Sequence, residues 1–232
     1  MKAALVGYGQ MGQMIERLAP EFDIEVAEKY WDVRPFRKTD EVRRALENVD
    51  VLIDFSVPDI AMDNIRTGLA LGKQIVIGTT GWMHKLDEVK KEVEDAGAGL
   101  VYASNFSLGV NLFYKLVRQA AAIMSKFNDY DPILEEKHHR FKKDAPSGTA
   151  IEIRNLVQAE YPDRELPVTA VRGGYIPGTH TVMFDSKVDN ITLSHCARSR
   201  EGFARGALIA ALWISGKKGL FHFSDIVDDV LK

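Results

Sequence analysis

The sequence predicts an α/β protein of two domains. The first is built on a parallel sheet. The second is an α+β domain with a mixed or antiparallel sheet. Three observations predict this. A glycine-rich turn, Gly7-Tyr8-Gly9-Gln10-Met11-Gly12, follows a short apolar strand and opens a helix. Short apolar runs then alternate with helical periodicity through about residue 106. Beyond that point the pattern changes to a long helix and then to strands separated by polar turns. A glycine turn between a strand and a helix marks the first domain as Rossmann-type.

The elements follow in order. Residues 2–6 form an apolar strand, and residues 13–19 a helix stopped near Pro20. A second strand over 24–27 ends at Glu28-Lys29. Residues 41–46 are helical and 51–55 read as a buried strand. A helix over 59–71 leads to a strand over 74–77, closed by Gly78-Thr79-Thr80-Gly81. A charged helix over 86–96 precedes a strand over 100–102. Residues 111–127 have Leu112, Phe113, Leu116, Val117, Ala120 and Met124 at helical spacing. Residues 132–139 are extended and 151–159 helical. Strands over 181–184 and 191–195 flank a polar turn and pair antiparallel. An Ala-rich helix over 203–214 returns to the first domain. The domains are therefore placed at 1–106 with 200–232, and at 107–199.

Composition sets limits on function. The chain has 232 residues, 46% hydrophobic and 27% charged, with a net charge of -3. Lys and Arg are scattered, so no nucleic-acid partner is expected. The lone Cys196 cannot form an intrachain disulfide and reads as a half-buried strand residue. No stretch approaches the ~20 apolar residues of a membrane span, and the first residues lack the pattern of a secretory signal. A cytoplasmic protein with no membrane partner is the expectation.

The glycine turn has the spacing of a dinucleotide site. Gly7 permits the tight turn, Gly9 lets the backbone approach a pyrophosphate, and Gly12 lets the helix pack on the strand. N–H groups at the start of the following helix suit the phosphates, and Gln10 and Met11 of the turn are expected to line the cofactor. Glu28, 16 residues past Gly12, suits the adenosine ribose, and Lys29 suits a 2′-phosphate. The pair points to NADH or NADPH as cofactor. Asp54-Phe55-Ser56, Gly78-Thr79-Thr80 and Ser104-Asn105-Phe106 fall at strand ends. There their backbone and hydroxyl groups can orient a nicotinamide.

The chemistry concentrates between Glu135 and Ala150. Pro146-Ser147-Gly148-Thr149 opens a helix, so Gly148 and Thr149 present first-turn N–H groups suited to a carboxylate. Ser147 also suits an N-cap. Adjacent residues of an extended chain point to opposite faces, so His138 and His139 do not chelate one metal. No third ligand sits at usual spacing, and no metal is expected. A histidine here can donate a proton near neutral pH, and a nearby lysine supplies fixed positive charge.

The run His138-His139-x-x-Lys142-x-Asp144-x-Pro146-Ser147-Gly148-Thr149-Ala150 resembles the signature of the 4-hydroxy-tetrahydrodipicolinate reductase family, long called dihydrodipicolinate reductases. The resemblance covers most of the chain. It includes the glycine turn, Asp54-Phe55-Ser56, Gly78-Thr79-Thr80-Gly81, Ser104-Asn105-Phe106-Ser107, Arg172-x-Gly174 and Gly178-x-His180. It implies that His138 is the proton donor with Lys142 as its partner. It further implies that His139 contacts the substrate, and that Gly148 and Thr149 bind a substrate carboxylate. It also implies a dicarboxylate substrate, a homotetramer assembled through the second-domain sheets, and a place in lysine and diaminopimelate biosynthesis. At Gly219-Leu220-Phe221-His222-Phe223-Ser224-Asp225 the chain departs from the family's Gly-Leu-Tyr-Asp-Met-like ending.

Two other readings stand beside this one. An aspartate- or homoserine-type amino-acid dehydrogenase shares such a first domain, but it does not explain the His138-to-Thr149 run. A non-enzymatic NAD(P)-sensing regulator needs a partner module, and the sequence has no helix-turn-helix candidate or basic stripe.

Overall fold

The computed structural model describes residues 1–31 and 39–231. The chain divides into two compact units, Met1–Ser107 with Phe203–Lys232, and Leu108–Gly202. The first stretch alternates β1 (Lys2–Val6), α1 (Gln10–Leu18), β2 (Glu25–Tyr30), α2 (Asp40–Ala45), β3 (Val51–Asp54), α3 (Pro58–Ala70), β4 (Gln74–Ile77), α4 (Leu86–Ala96) and β5 (Gly99–Tyr102). The second unit holds α5 (Leu108–Met124), β6 (Asp131–His138), α6 (Gly148–Glu160), β7 (Val168–Arg172), β8 (Thr179–Asp185) and β9 (Asn190–Cys196). The return to the first unit runs through α7 (Glu201–Trp213), β10 (Gly219–His222) and α8 (Phe223–Val230).

The first unit is a six-stranded parallel sheet in the order β10-β5-β4-β3-β1-β2. Its central strands are apolar on both faces. Ala3, Leu5, Leu52, Ile53, Val76 and Leu100 are all buried, as strands covered by helices on both sides must be. One side packs Ile65, Leu69, Trp82, Val89 and Val93 against Ile75, Ile77 and Leu100.

Among the differences from the sequence reading, three in the first unit stand out. Helix α1 begins at Gln10, three residues early, because extended Gly9 serves as its N-cap. A glycine run reads as loop by propensity, yet Gly12 lies inside the first turn. Strand β2 continues to Tyr30, which pairs with Val6. Strand β10 was not anticipated. The atypical Gly219–His222 run pairs in parallel with Gly99–Tyr102 and extends the sheet by one strand.

The second unit is a four-stranded mixed sheet, β7-β6-β8-β9, with β7 parallel to β6 and the other pairs antiparallel. Strand β7 was also missed. Val168–Arg172 is an edge strand with exposed Thr169 and Ala170, so no apolar run marks it. Phe113 and Val117 of α5, Ile153 and Val157 of α6, and Leu134, Val182 and Phe184 of the sheet form the core. Strand β9 is the other edge. Cys196 on it is exposed, which corrects the expectation of a half-buried thiol. Among the described residues no helix is long and apolar enough to cross a membrane.

Candidate active site

In the first unit a cleft is lined by Met11, Phe55, Ser56, Pro58, Gly78, Thr79 and Thr80. All but Pro58 were anticipated as cofactor contacts. Pro58 opens α3, and nothing in its local sequence marks it. The glycines shape this region in different ways. A Cβ on Gly9 would meet nothing within 4 Å, so the mouth of the turn is open. A Cβ on Gly12 would stand 2.5 Å from the Gly7 carbonyl oxygen, so α1 can sit this close only with glycine there. Gly7 has φ 85°, and its Cβ would collide with the Phe55 carbonyl at 2.5 Å.

Asp54 fastens the cleft from below. It is 2% exposed. Its carboxylate accepts from Ser56 N at 2.8 Å, Thr79 Oγ1 at 2.8 Å and Asn64 Nδ2 at 2.9 Å. Burial pushes its pKa up, and these hydrogen bonds oppose the shift. The loops after β3 and β4 are thereby tied together.

Four of the anticipated cofactor contacts have surroundings that the sequence did not indicate. The Thr79 hydroxyl turns inward to Asp54, so it does not face a ligand. Phe106 is 2% exposed and packs on Phe55 and Phe223, with ring centroids 5.9 and 5.0 Å away. It is a core residue beneath the loop. Glu28 pairs with Ala4 inside the strand, two residues before its end at Tyr30, so it does not occupy the strand terminus. Lys29 is held 2.8 Å from Glu16 and lies over the Tyr8 ring, so it is not an unpaired cation. Of the third loop, Ser104 is exposed, and Asn105 Oδ1 accepts from Ser107 N at 2.9 Å.

The second unit assembles the titratable groups. Strand β6 alternates, so Glu136 and His138 share its buried side. Register does the rest. His180 on β8 lies opposite Glu136, and Arg172 on β7 lies opposite His138. The Glu136 side chain is 0% exposed. Its Oε1 accepts from Ser147 N at 3.0 Å and Arg172 at 2.6 Å, and its Oε2 accepts from Ser147 Oγ. His138 Nδ1 lies 3.3 Å from Oε2 without the alignment of a formed hydrogen bond, and His180 Nε2 lies 3.5 Å from it. Ser147 also caps α6, accepting from Ala150 N at 3.2 Å.

The loop after β6 is braced as well. Lys142 N donates to the His139 carbonyl, and Lys142 Nζ lies 2.8 Å from Asp144 Oδ1. Arg172 donates to the Asp144 carbonyl at 2.6 Å. Gly148 and Thr149 form the first turn of α6, and the Thr149 side chain is hydrogen-bonded to the hydroxyl of the partly buried Tyr114. His139 leaves the strand with its backbone N–H on the Ile176 carbonyl at 2.8 Å.

Electrostatics follow from burial. Desolvation alone would raise the Glu136 carboxyl, but hydrogen bonds from Ser147 and Arg172 outweigh it and hold the pKa below its ordinary value. Burial pushes the His138 imidazole down, Glu136 opposes, and Lys142 and Arg172 push down further. Burial and His138 lower His180 to about 4. Both histidines are thus neutral in the resting protein near neutral pH.

This has a consequence for stability. A base with a lowered folded pKa binds more protons unfolded than folded. Stability from His180 is therefore full above about pH 6.5 and is lost as pH falls towards 4. Chemical denaturation should show the loss over that window, at most about 3 kcal/mol. His180→Gln should flatten it, and an unchanged slope would contradict the assignment.

Glu136, His138 and His180 bring ligand-type atoms within 4.8 Å of one another. His139 is not part of this set, which is brought together by strand register and not by sequence spacing. The carboxylate is, however, already neutralised by Arg172 at 2.6 Å. A divalent cation here would leave its charge buried beside a guanidinium. The set is a buried, hydrogen-bonded cluster of titratable groups. Sequence reasoning had not assigned a role to Glu136, Arg172 or His180. Only the period-2 spacing of Glu136 and His138 was available to mark the first.

Comparison with known proteins follows the same division. Residues 1–106 match the family model described as dihydrodipicolinate reductase, N-terminus, and residues 109–227 that described as dihydrodipicolinate reductase, C-terminus. The chain is 37% identical to a 4-hydroxy-tetrahydrodipicolinate reductase of Christiangramia forsetii over 246 residues, covering 100% of both chains. It is 37% identical to that of Methanoregula boonei over 94% of each. Among solved structures it resembles a dipicolinate-bound dihydrodipicolinate reductase from Paenisporosarcina sp. TG-14. That match has a TM-score of 0.82 at 22% identity, covering 97% of this chain and 99% of the other.

Proposed function

The chain belongs to the dihydrodipicolinate reductase family, and on that premise we propose how its residues divide the work. It is an oxidoreductase that reduces 4-hydroxy-tetrahydrodipicolinate to tetrahydrodipicolinate, with loss of water and with a reduced nicotinamide as hydride donor, in lysine and diaminopimelate biosynthesis. The cofactor site fits its group. The open position at Gly9, the start of α1 and the cleft at Ser56 and Gly78 leave room for a dinucleotide along one sheet edge. When bound, the nicotinamide supplies a hydride. Glu28 and Lys29, within two residues of the end of β2, are compatible with NADH or NADPH, and we take both as competent.

The second unit holds the dicarboxylate. The first turn of α6, around Gly148 and Thr149, receives one carboxylate at the positive end of the helix dipole. Lys142 adds fixed positive charge and His139 contacts the substrate. Hydride addition to the dehydrated substrate leaves negative charge on a neighbouring ring carbon, and His138 donates a proton there. A neutral resting histidine can do this because a dianionic substrate beside it favours the imidazolium. The proton is taken up with the substrate and spent in the reaction.

The observation that supports this reading is the gathering, in one unit, of His138, Lys142 and the Ser147-capped start of α6. The test is oxidation of NADH and NADPH with freshly made 4-hydroxy-tetrahydrodipicolinate, compared with aspartate- and homoserine-type substrates. Oxidation with the first alone is expected. Oxidation with an amino acid would overturn it, and tight nicotinamide binding without any oxidation would favour a sensor. We further infer a cytoplasmic homotetramer built through the second-unit sheet, where Val171 and Ile191 are 39% and 41% exposed. Sedimentation should give four times the 26.0 kDa chain mass.

A further inference from the structure

We propose that Glu136 is a positioning residue for His138: its buried carboxylate takes the Nδ1–H of the imidazole and so presents Nε2 to the substrate. The proposal rests on the reductase reading of the same site.

The proton inventory leads to it. A carboxylate accepts about four hydrogen bonds. Glu136 Oε1 is used by Ser147 N at 3.0 Å and Arg172 at 2.6 Å. Oε2 takes the Ser147 hydroxyl proton. That hydroxyl has only one proton to give. His180 Nε2, 3.2 Å from Ser147 Oγ, must therefore be the donor in that contact, and its Nε2 carries the hydrogen. One acceptor position then remains on Oε2. Two nitrogens face it: His180 Nε2 at 3.5 Å, whose hydrogen is already directed to Ser147 Oγ, and the nearer His138 Nδ1, a buried nitrogen 3.3 Å away. A proton on Nδ1 fills the position. The neutral imidazole is then left with its lone pair on Nε2.

Nε2 is also the nitrogen with room beside it. Gly178 lies next to it, and a Cβ there would stand 3.0 Å from Nε2. A glycine keeps that side clear. The other groups around His138 are His180 on β8, Arg172 on β7, and Lys142 and Asp144 in the loop after β6. Of the two carboxylates, Glu136 is the fully buried one and is fixed at both oxygens, so it alone can hold the ring in one orientation. The present contact is loose, as catalytic hydrogen bonds often are without substrate. It is expected to tighten when the imidazolium forms.

Nitrogen-15 NMR of histidine-labelled wild-type protein reads the tautomer directly, with His138→Gln supplying the assignment. The Nδ1–H form is expected for His138 in the free protein. An Nε2–H form would overturn the proposal, and this readout needs no variant of Glu136. In the second arm, Glu136→Gln should lower kcat by about 10- to 100-fold with KM for substrate little changed, the usual span for groups that orient a functional histidine. It should also move the pH-rate limb assigned to His138 to lower pH, because the imidazolium loses its counter-charge. Loss of melting temperature with an unmoved pH profile and tautomer would mean a structural role only, and would overturn the proposal. If wild-type protein fails to turn over the substrate, the functional reading falls instead, while the tautomer still tests the positioning.

Discussion

His138→Gln is expected to lower turnover by about two to four orders of magnitude, the span for loss of a general acid. Glutamine has similar reach but no proton to deliver at neutral pH. The proposed binding groups, the first turn of α6 and Lys142, are untouched by the change. Dipicolinate affinity measured by calorimetry should therefore stay within a few-fold, and the effect should fall on kcat. Lys142→Ala should also cost about two orders of magnitude, but with weaker dipicolinate binding, because it removes charge seen by the ground-state ligand as well. Near-normal turnover in both variants would mean that other groups handle the proton and the charge.

The second large effect is on folding. Gly206 of α7 lies against the loop that follows β5. A Cβ there would stand 1.6 Å from the Phe106 carbonyl oxygen and 3.1 Å from the Phe223 ring. The first obstacle is backbone, so no side-chain rotation relieves it. Gly206→Ala should destabilise the protein by about 3 kcal/mol or more, at or above the upper end for overpacking. For a chain of this length that lowers the melting temperature by about 6–12 °C. The loop displaced with this carbonyl carries Ser104 and Asn105 of the expected nicotinamide wall, so cofactor affinity should fall with it. Gly9→Ala is the contrasting variant. Its Cβ meets nothing within 4 Å, so stability should hold while dinucleotide binding weakens. Equal melting temperatures for wild type and Gly206→Ala would show that α7 does not press on residue 106 as described.

Much of the first unit was legible because parallel strands covered on both faces are written as apolar runs, as in Val51–Asp54 and Gln74–Ile77. The edges were less legible. Val168–Arg172 and Gly219–His222 are short, partly exposed and joined by parallel pairing to distant strands, and neither has a local period to betray it. The site divides in the same way. His138, Lys142 and the Ser147-Gly148-Thr149 turn lie within one dozen-residue run and could be read together. Glu136, Arg172 and His180 meet only through the register of β7, β6 and β8, which no local sequence states. The hydroxyl of Thr79 was misread for a related reason. Its direction is set by Asp54, 25 positions earlier.

The two-site division of labour is tested most directly by hydrogen exchange on the intact protein, alone, with NADPH and with dipicolinate. NADPH should slow exchange at the amides of 7–12 and 78–81. Dipicolinate should slow it at 139–149, with the strongest effect at the start of α6. Dipicolinate protection that spares 139–149, or bound NADPH that leaves the glycine turn unprotected, would contradict it.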